Sequence, residues 1–146
     1  MTMRTSFLQY LAFALLGTTV TGCGNPSPMV PVSGRISMDD SPLPTAGTVY
    51  FTPIEAFGGH PLRPASANFE TDGNYSVSSF ADAEGLFPGE YRVHVHCWEI
   101  PPTMDGPPAR SYLPPKYDRP NTSGLALIVK EGSPAIEFNV DIQPER

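Results

Sequence analysis

Basic residues are scarce in this sequence: 146 residues hold 9 Lys and Arg against 15 Asp and Glu, a net charge of −6. With no basic field to draw in a phosphate backbone, nucleic acid is not expected as a partner. Cysteine is nearly absent, Cys23 and Cys97 alone, which is too few for a disulfide framework. No apolar run reaches the ~20 residues that a membrane-spanning helix needs. The sequence contains no Gly-x-Ser-x-Gly elbow, no motif of paired carboxylates and no glycine-rich phosphate loop, so neither an enzyme nor a cofactor is expected. Proline, by contrast, is plentiful: 18 residues, beside 13 glycines. That density breaks helices, yet the combined share stays under the ~25–30% that marks disordered chains. Hydrophobic residues at 40% are enough for one core, and the length suits one domain.

The N-terminal segment reads as an export signal. Arg4 is followed by an uncharged, largely apolar run from Phe7 to Val20, the length of a signal-peptide core and too short to span a bilayer. It ends in Val20-Thr21-Gly22-Cys23, which resembles the lipobox of bacterial lipoproteins, where the Cys is lipidated and becomes the new N-terminus. The expected organisation is therefore a signal peptide over 1–22, a lipidated Cys23 with a Pro-rich tether over 23–31, and a domain over 32–146. An ordinary secretory signal with an incidental Cys is the alternative. Lipidation would make the membrane the partner of Cys23. Gly24 stands where an acidic residue would, by analogy with well-studied lipoproteins, mark inner-membrane retention, so the default address is the outer membrane, on its periplasmic face or at the cell surface. Cys97 would then have no partner in the chain.

From Val30 onward the pattern has period two. Val30, Val32, Ile36 and Met38 alternate with Ser33, Arg35 and Ser37. Thr48 to Thr52 is β-branched and aromatic, with Pro53 expected to end it. Ser66 to Thr71 and Asn74 to Ser78 flank Asp72-Gly73, a strong hairpin signal. In Glu90 to Trp98, the residues Tyr91, Val93, Val95 and Cys97 face one way and Arg92, His94, His96 and Trp98 the other. Leu125 to Lys130 and Ala135 to Ile142, joined by Glu131-Gly132-Ser133-Pro134, read as a closing hairpin. Seven short strands at this spacing predict an all-β, antiparallel Greek-key sandwich. Tyr91, just after Pro88-Gly89, resembles the tyrosine corner of such sandwiches.

Four segments, Val32-Ser33-Gly34-Arg35-Ile36, Pro42 to Val49, Thr71-Asp72-Gly73-Asn74-Tyr75 and Pro88-Gly89-Glu90-Tyr91-Arg92-Val93, together resemble the carboxypeptidase regulatory-like domain, of transthyretin (prealbumin) topology. Leu113 to Tyr117, Asp118-Arg119-Pro120 and Thr122 to Leu125 resemble the C-terminal half of small lipoproteins of this kind, abundant in planctomycete-type bacteria. The resemblance implies a fold more than an activity. Relatives that hydrolyse a ureide on this scaffold use His and Arg residues and a C-terminal tetrapeptide beginning with Tyr, whereas this chain ends Ile142-Gln143-Pro144-Glu145-Arg146.

The expected role is thus a non-enzymatic, lipid-anchored module of the cell envelope, binding or structural. His94 and His96 share a strand face about 6.5–7 Å apart and could both reach a Zn²⁺ or Cu²⁺, which makes a periplasmic metal carrier the alternative. Against it, a zinc centre wants three or four ligands, and His60 is the sole further His. Without a metal, both are polar residues of an outer sheet face. Cys97, on the core face, is expected to behave as a small hydrophobe. Residues 99–123 carry seven prolines with Tyr112 and Tyr117. A loop this long is expected either to touch an envelope protein or glycan through those tyrosines, or to cover an open sheet edge.

Overall fold

The computed structural model describes residues 28–80 and 83–144. The expected signal peptide, Cys23 and most of the expected tether lie outside the described residues. The fold is all-β. In chain order the strands are β1 (Val32–Met38), β2 (Gly47–Ala56), β3 (Ala65–Phe69), β4 (Asn74–Ser76), β5 (Ser78–Phe80), β6 (Ala83–Glu84), β7 (Gly89–His96), β8 (Trp98–Ile100), β9 (Arg110–Ser111), β10 (Leu125–Val129), β11 (Ile136–Glu137) and β12 (Val140–Ile142), with a 3-10 turn over Pro115–Asp118. Among the described residues no helix is long and apolar enough to cross a membrane.

Two sheets share one core. The larger is antiparallel, in the order β10-β7-β2-β3-β5-β6, and the smaller gathers β4, β11 and β12 around β1. Val49, Phe51, Val93, Val95 and Val129 of the first sheet and Val32, Ile36, Val140 and Ile142 of the second are all buried in a single cluster. Rings bridge the layers: Phe51 lies 6.3 Å from Tyr75 and 6.4 Å from Phe138. Tyr91 is 2% exposed and its hydroxyl donates to the Phe87 carbonyl at 2.8 Å, the geometry expected of a tyrosine corner.

Several local expectations are corrected. Asp72-Gly73 does not close a hairpin: β3 pairs with β2 and β5, while β4 crosses to the other sheet and pairs with β1. The turn is recruited as a corner because Phe69 and Tyr75 must bury in different layers of the same core. The C-terminal segments are likewise no hairpin. β10 pairs with β7, whereas β11 and β12 run parallel to β1, so the smaller sheet is mixed rather than purely antiparallel. Pro53 does not stop β2, which continues to Ala56 across a register shift at Pro53/Glu55 that absorbs the missing donor. Val30, which the alternation places on the inward face ahead of Val32, is buried as that pattern expects and exchanges two backbone hydrogen bonds with Leu86.

The segment over 99–123 is built rather than loose. β8 and β9 pair with each other, and Glu99 holds Arg110 in an ion pair across them. β10 covers β7 only from Gly89 to Val93. Beyond it, the chain from Ser111 to Ser123 satisfies the same edge: Ser123 Oγ donates to the Val93 carbonyl at 2.5 Å and the Tyr112 N–H to the Cys97 carbonyl at 2.9 Å.

Candidate ring-lined cleft on the larger sheet

Alternation in β2 and β7 sends Val49, Phe51, Val93 and Val95 inward and leaves Thr48, Tyr50, His94 and His96 on the outer face. The antiparallel register then sets Tyr50 opposite His94 and Thr48 opposite His96. Directly opposed side chains touch: the Tyr50 ring stacks on His94 with centroids 4.9 Å apart and planes 12° from parallel, and lies 5.0 Å from His96. Trp98 extends the row, 5.0 Å from His96. Cys97 between them turns inward and is buried, its thiol directed at the Thr45 carbonyl at 3.5 Å. Burial pushes that thiol's pKa up, with the Thr45 contact opposing, which keeps it protonated and a poor nucleophile.

The row is fixed from behind. His96 Nε2 donates to the Asp118 carbonyl at 3.0 Å, at the end of the 3-10 turn. Burial is the main cause that holds His94 below the usual imidazole range, with the neighbouring His96 adding to it. His94 Nδ1 is buried without a partner among the described residues, so a proton there would gain no acceptor. The Asp118 carboxyl is raised, chiefly by burial, against the opposing influence of His96 and a Ser111 hydrogen bond. One of its oxygens is also buried and unpartnered.

Beside these rings lies a cleft of about 520 Å³, lined by Thr48, Asn68, Glu70, His96, Trp98 and Pro101 among others. Thr48 Oγ1 donates to Asn68 Oδ1 at 3.0 Å, which turns the amide N–H₂ of Asn68 away from that bond. A larger, more polar concavity of about 730 Å³ sits on the smaller sheet, over Arg35, Asp40, Asn139 and Asp141. Its polar groups are engaged with one another. Asp141 accepts from Ser37 Oγ, the Asp40 N–H and Gln143 Nε2, and these bonds lower its pKa. Asn139 Oδ1 accepts from the Arg35 N–H. That network ties β1 to β12 and leaves little for a ligand, so the ring-lined cleft is the better candidate.

His94 and His96 are brought together, with ring centroids 5.3 Å apart. Among the described residues no three His, Cys, Asp or Glu side chains group to hold a metal ion. His60 packs instead on Phe87, 5.7 Å away. The two tyrosines of the long segment part company. Tyr112 is 41% exposed, as a partner contact requires. Tyr117 is 5% exposed, and its hydroxyl accepts from the Gln143 N–H at 3.3 Å, so it is a core residue and not a contact surface. Tyr50, Asn68 and Asp118 belong to no binding motif that would mark them in the sequence. Tyr50 and His94 are outward residues of two aromatic-rich strands, and pairing those strands in register would have found them. Compared with protein-family models, curated proteins and solved structures, the chain finds no match.

Proposed function

We propose that this chain is a lipid-anchored, non-enzymatic binding module of a bacterial cell envelope, a carboxypeptidase regulatory-like domain of Greek-key, transthyretin-like topology. The observation that carries the reading is Val20-Thr21-Gly22-Cys23 at the end of an uncharged apolar run. Two or more acyl chains hold a protein at a bilayer durably, so the acidic domain needs no lipid affinity of its own. The tyrosine corner at Tyr91 and the shared core of two sheets support the topology. The cleft beside Trp98 supports a binding role.

The test is Cys23→Ala, expected to move the protein from the membrane fraction to the soluble exported fraction. A variant that stays membrane-bound at the size of the wild type refutes the anchor. In the wild type, denaturation should expose one titratable thiol, that of Cys97, because Cys23 is held as a thioether. A metal-carrying role for His94 and His96 has less support, since the Nε2 of His96 is already committed to the Asp118 carbonyl and no third ligand joins them among the described residues.

A further inference from the structure

We propose that the cleft beside Trp98 binds a neutral glycan, with the indole as the platform for a sugar ring and Asn68 and Glu70 as its hydroxyl-reading groups. The proposal adds a ligand class to the envelope module and stands on the folded domain alone. A pyranose presents an apolar face of C–H groups and an equatorial rim of hydroxyls. Its natural complement is an electron-rich aromatic face flanked by planar groups that donate and accept side by side. The cleft supplies both. Trp98 is half-buried and steadied by His96 at 5.0 Å, itself pinned by the Asp118 carbonyl, so its ring is held in place before any ligand arrives. Asn68 is exposed on β3, and Thr48 Oγ1 occupies its carbonyl oxygen at 3.0 Å, which orients two amide donors at no further ordering cost. Glu70, two residues on and on the same face of the chain, offers carboxylate acceptors.

Charge selects among sugars. No Lys or Arg lines the cleft, and nearby Arg110 is engaged by Glu99. A uronate, sulfate or phosphate would meet the Glu70 carboxylate with nothing to offset it. An ammonium ligand would suit Glu70, but cation cages enclose a point with several ring faces. Here Tyr50, His96 and Trp98 stand side by side in a row on the outer face, with successive centroids 5.0 Å apart, so they form one wall of the cleft rather than an enclosure.

The chain contains a single Trp, so intrinsic fluorescence reports the cleft directly. Full-length protein, extracted in a detergent without a sugar headgroup, would be titrated with soluble glucan, mannan, galactan and chitin oligosaccharides, and with polygalacturonate and choline for comparison. Calorimetry would run in parallel. At least one neutral oligosaccharide should give saturable heat and a saturable change in Trp98 emission. Trp98→Ala should weaken that binding roughly tenfold or more, and Asn68→Ala by about three- to tenfold. Because Asn68 is exposed, its variant keeps the test valid if Trp98→Ala fails to fold, and Trp98→Phe should retain part of the affinity. The proposal is overturned if every neutral oligosaccharide is silent, if polygalacturonate or choline alone binds, or if Asn68→Ala binds as the wild type does. A failed anchor test with glycan binding intact would leave this cleft standing, and the reverse result would leave the anchor.

Discussion

Gly34 lies directly beneath the hydroxyl of Tyr75: a Cβ built on Gly34 would sit 2.9 Å from Tyr75 Oη and 2.0 Å from the Phe138 carbonyl oxygen. The same hydroxyl donates to that carbonyl at 2.5 Å, a bond that crosses from β4 over β1 to the segment between β11 and β12. Burial drives the Tyr75 hydroxyl far above its ordinary pKa, so it remains a donor at all working pH values. A methyl at Gly34 cannot be accommodated by a flexible side-chain end, because the oxygen it meets is backbone.

Gly34→Ala should therefore destabilise the domain by about 3 kcal/mol or more, the upper end of overpacking costs. Urea unfolding is the measurement. Tyr75→Phe, which removes the bond and leaves the space, should cost less, about 1–3 kcal/mol. A Gly34→Ala variant as stable as the wild type would refute the close approach of β1 and the Phe138 carbonyl.

The tyrosine corner makes a second prediction. Tyr91→Phe takes the buried Tyr91 hydroxyl from the part-buried Phe87 carbonyl and should cost ~1–3 kcal/mol, whereas Tyr112→Phe, at an exposed residue, should stay within ~0.5 kcal/mol. The contrast between the two controls for losing a phenol. Equal small effects would mean that Tyr91 is not holding the β7 entrance.

Acid should weaken the fold through His94. Its folded pKa lies below the unfolded value of about 6.5, so the unfolded chain binds the proton first as the pH falls. The contribution is fully present above about pH 6.5 and is lost as the pH drops toward the lowered folded value. Asp118 acts with the opposite sign: its raised carboxyl contributes in acid and loses that contribution as the pH rises through its folded value. The difference between wild type and His94→Gln isolates the His94 part. Unfolding free energies measured between pH 7.5 and 5.5 should show the wild type losing stability faster than His94→Gln, and parallel curves would contradict the burial of that imidazole.

Much of the fold was legible in the sequence because burial is periodic. The inward faces of β1 and β7, with Val32, Ile36, Tyr91, Val93 and Val95, follow from alternation alone, and Pro88-Gly89 before Tyr91 marks the corner. Pairing was less legible. A turn such as Asp72-Gly73 states that the chain reverses, and whether the next strand returns to the same sheet depends on which layer must bury Tyr75. The parallel placement of β11 and β12 beside β1 joins residues about a hundred positions apart, as in the Arg35 bond to Asn139, and local pattern carries no record of that. The candidate cleft was half legible. His94 and His96 stand out as a pair, but the role of Tyr50 and Asn68 arises only from register, since neither is unusual within its own strand.

Tyr117 offers the sharpest discrimination between the two readings of the Pro-rich segment. As a surface contact it could be truncated without cost to folding. In the structure it is buried beside Leu113 in the same core as Ile142, it directs its hydroxyl at the Gln143 N–H, and Pro115 initiates the 3-10 turn that presents it. The fixed φ of that proline lowers the entropy lost when the turn forms, so proline richness here serves docking rather than extension. Tyr117→Ala should leave a cavity and cost about 3–5 kcal/mol, as large aromatic truncations do, and it should also loosen the edge of β7 that Tyr112 and Ser123 cover. Amide exchange of the Tyr112 N–H, bonded to the Cys97 carbonyl, should accelerate in parallel with the loss of global stability. Tyr112→Ala, which removes an exposed ring, should change stability by less than about 1 kcal/mol. If Tyr117→Ala melts like Tyr112→Ala, the segment is an appendage lying on the sheet, and the edge of β7 beyond Val93 is open to other strands.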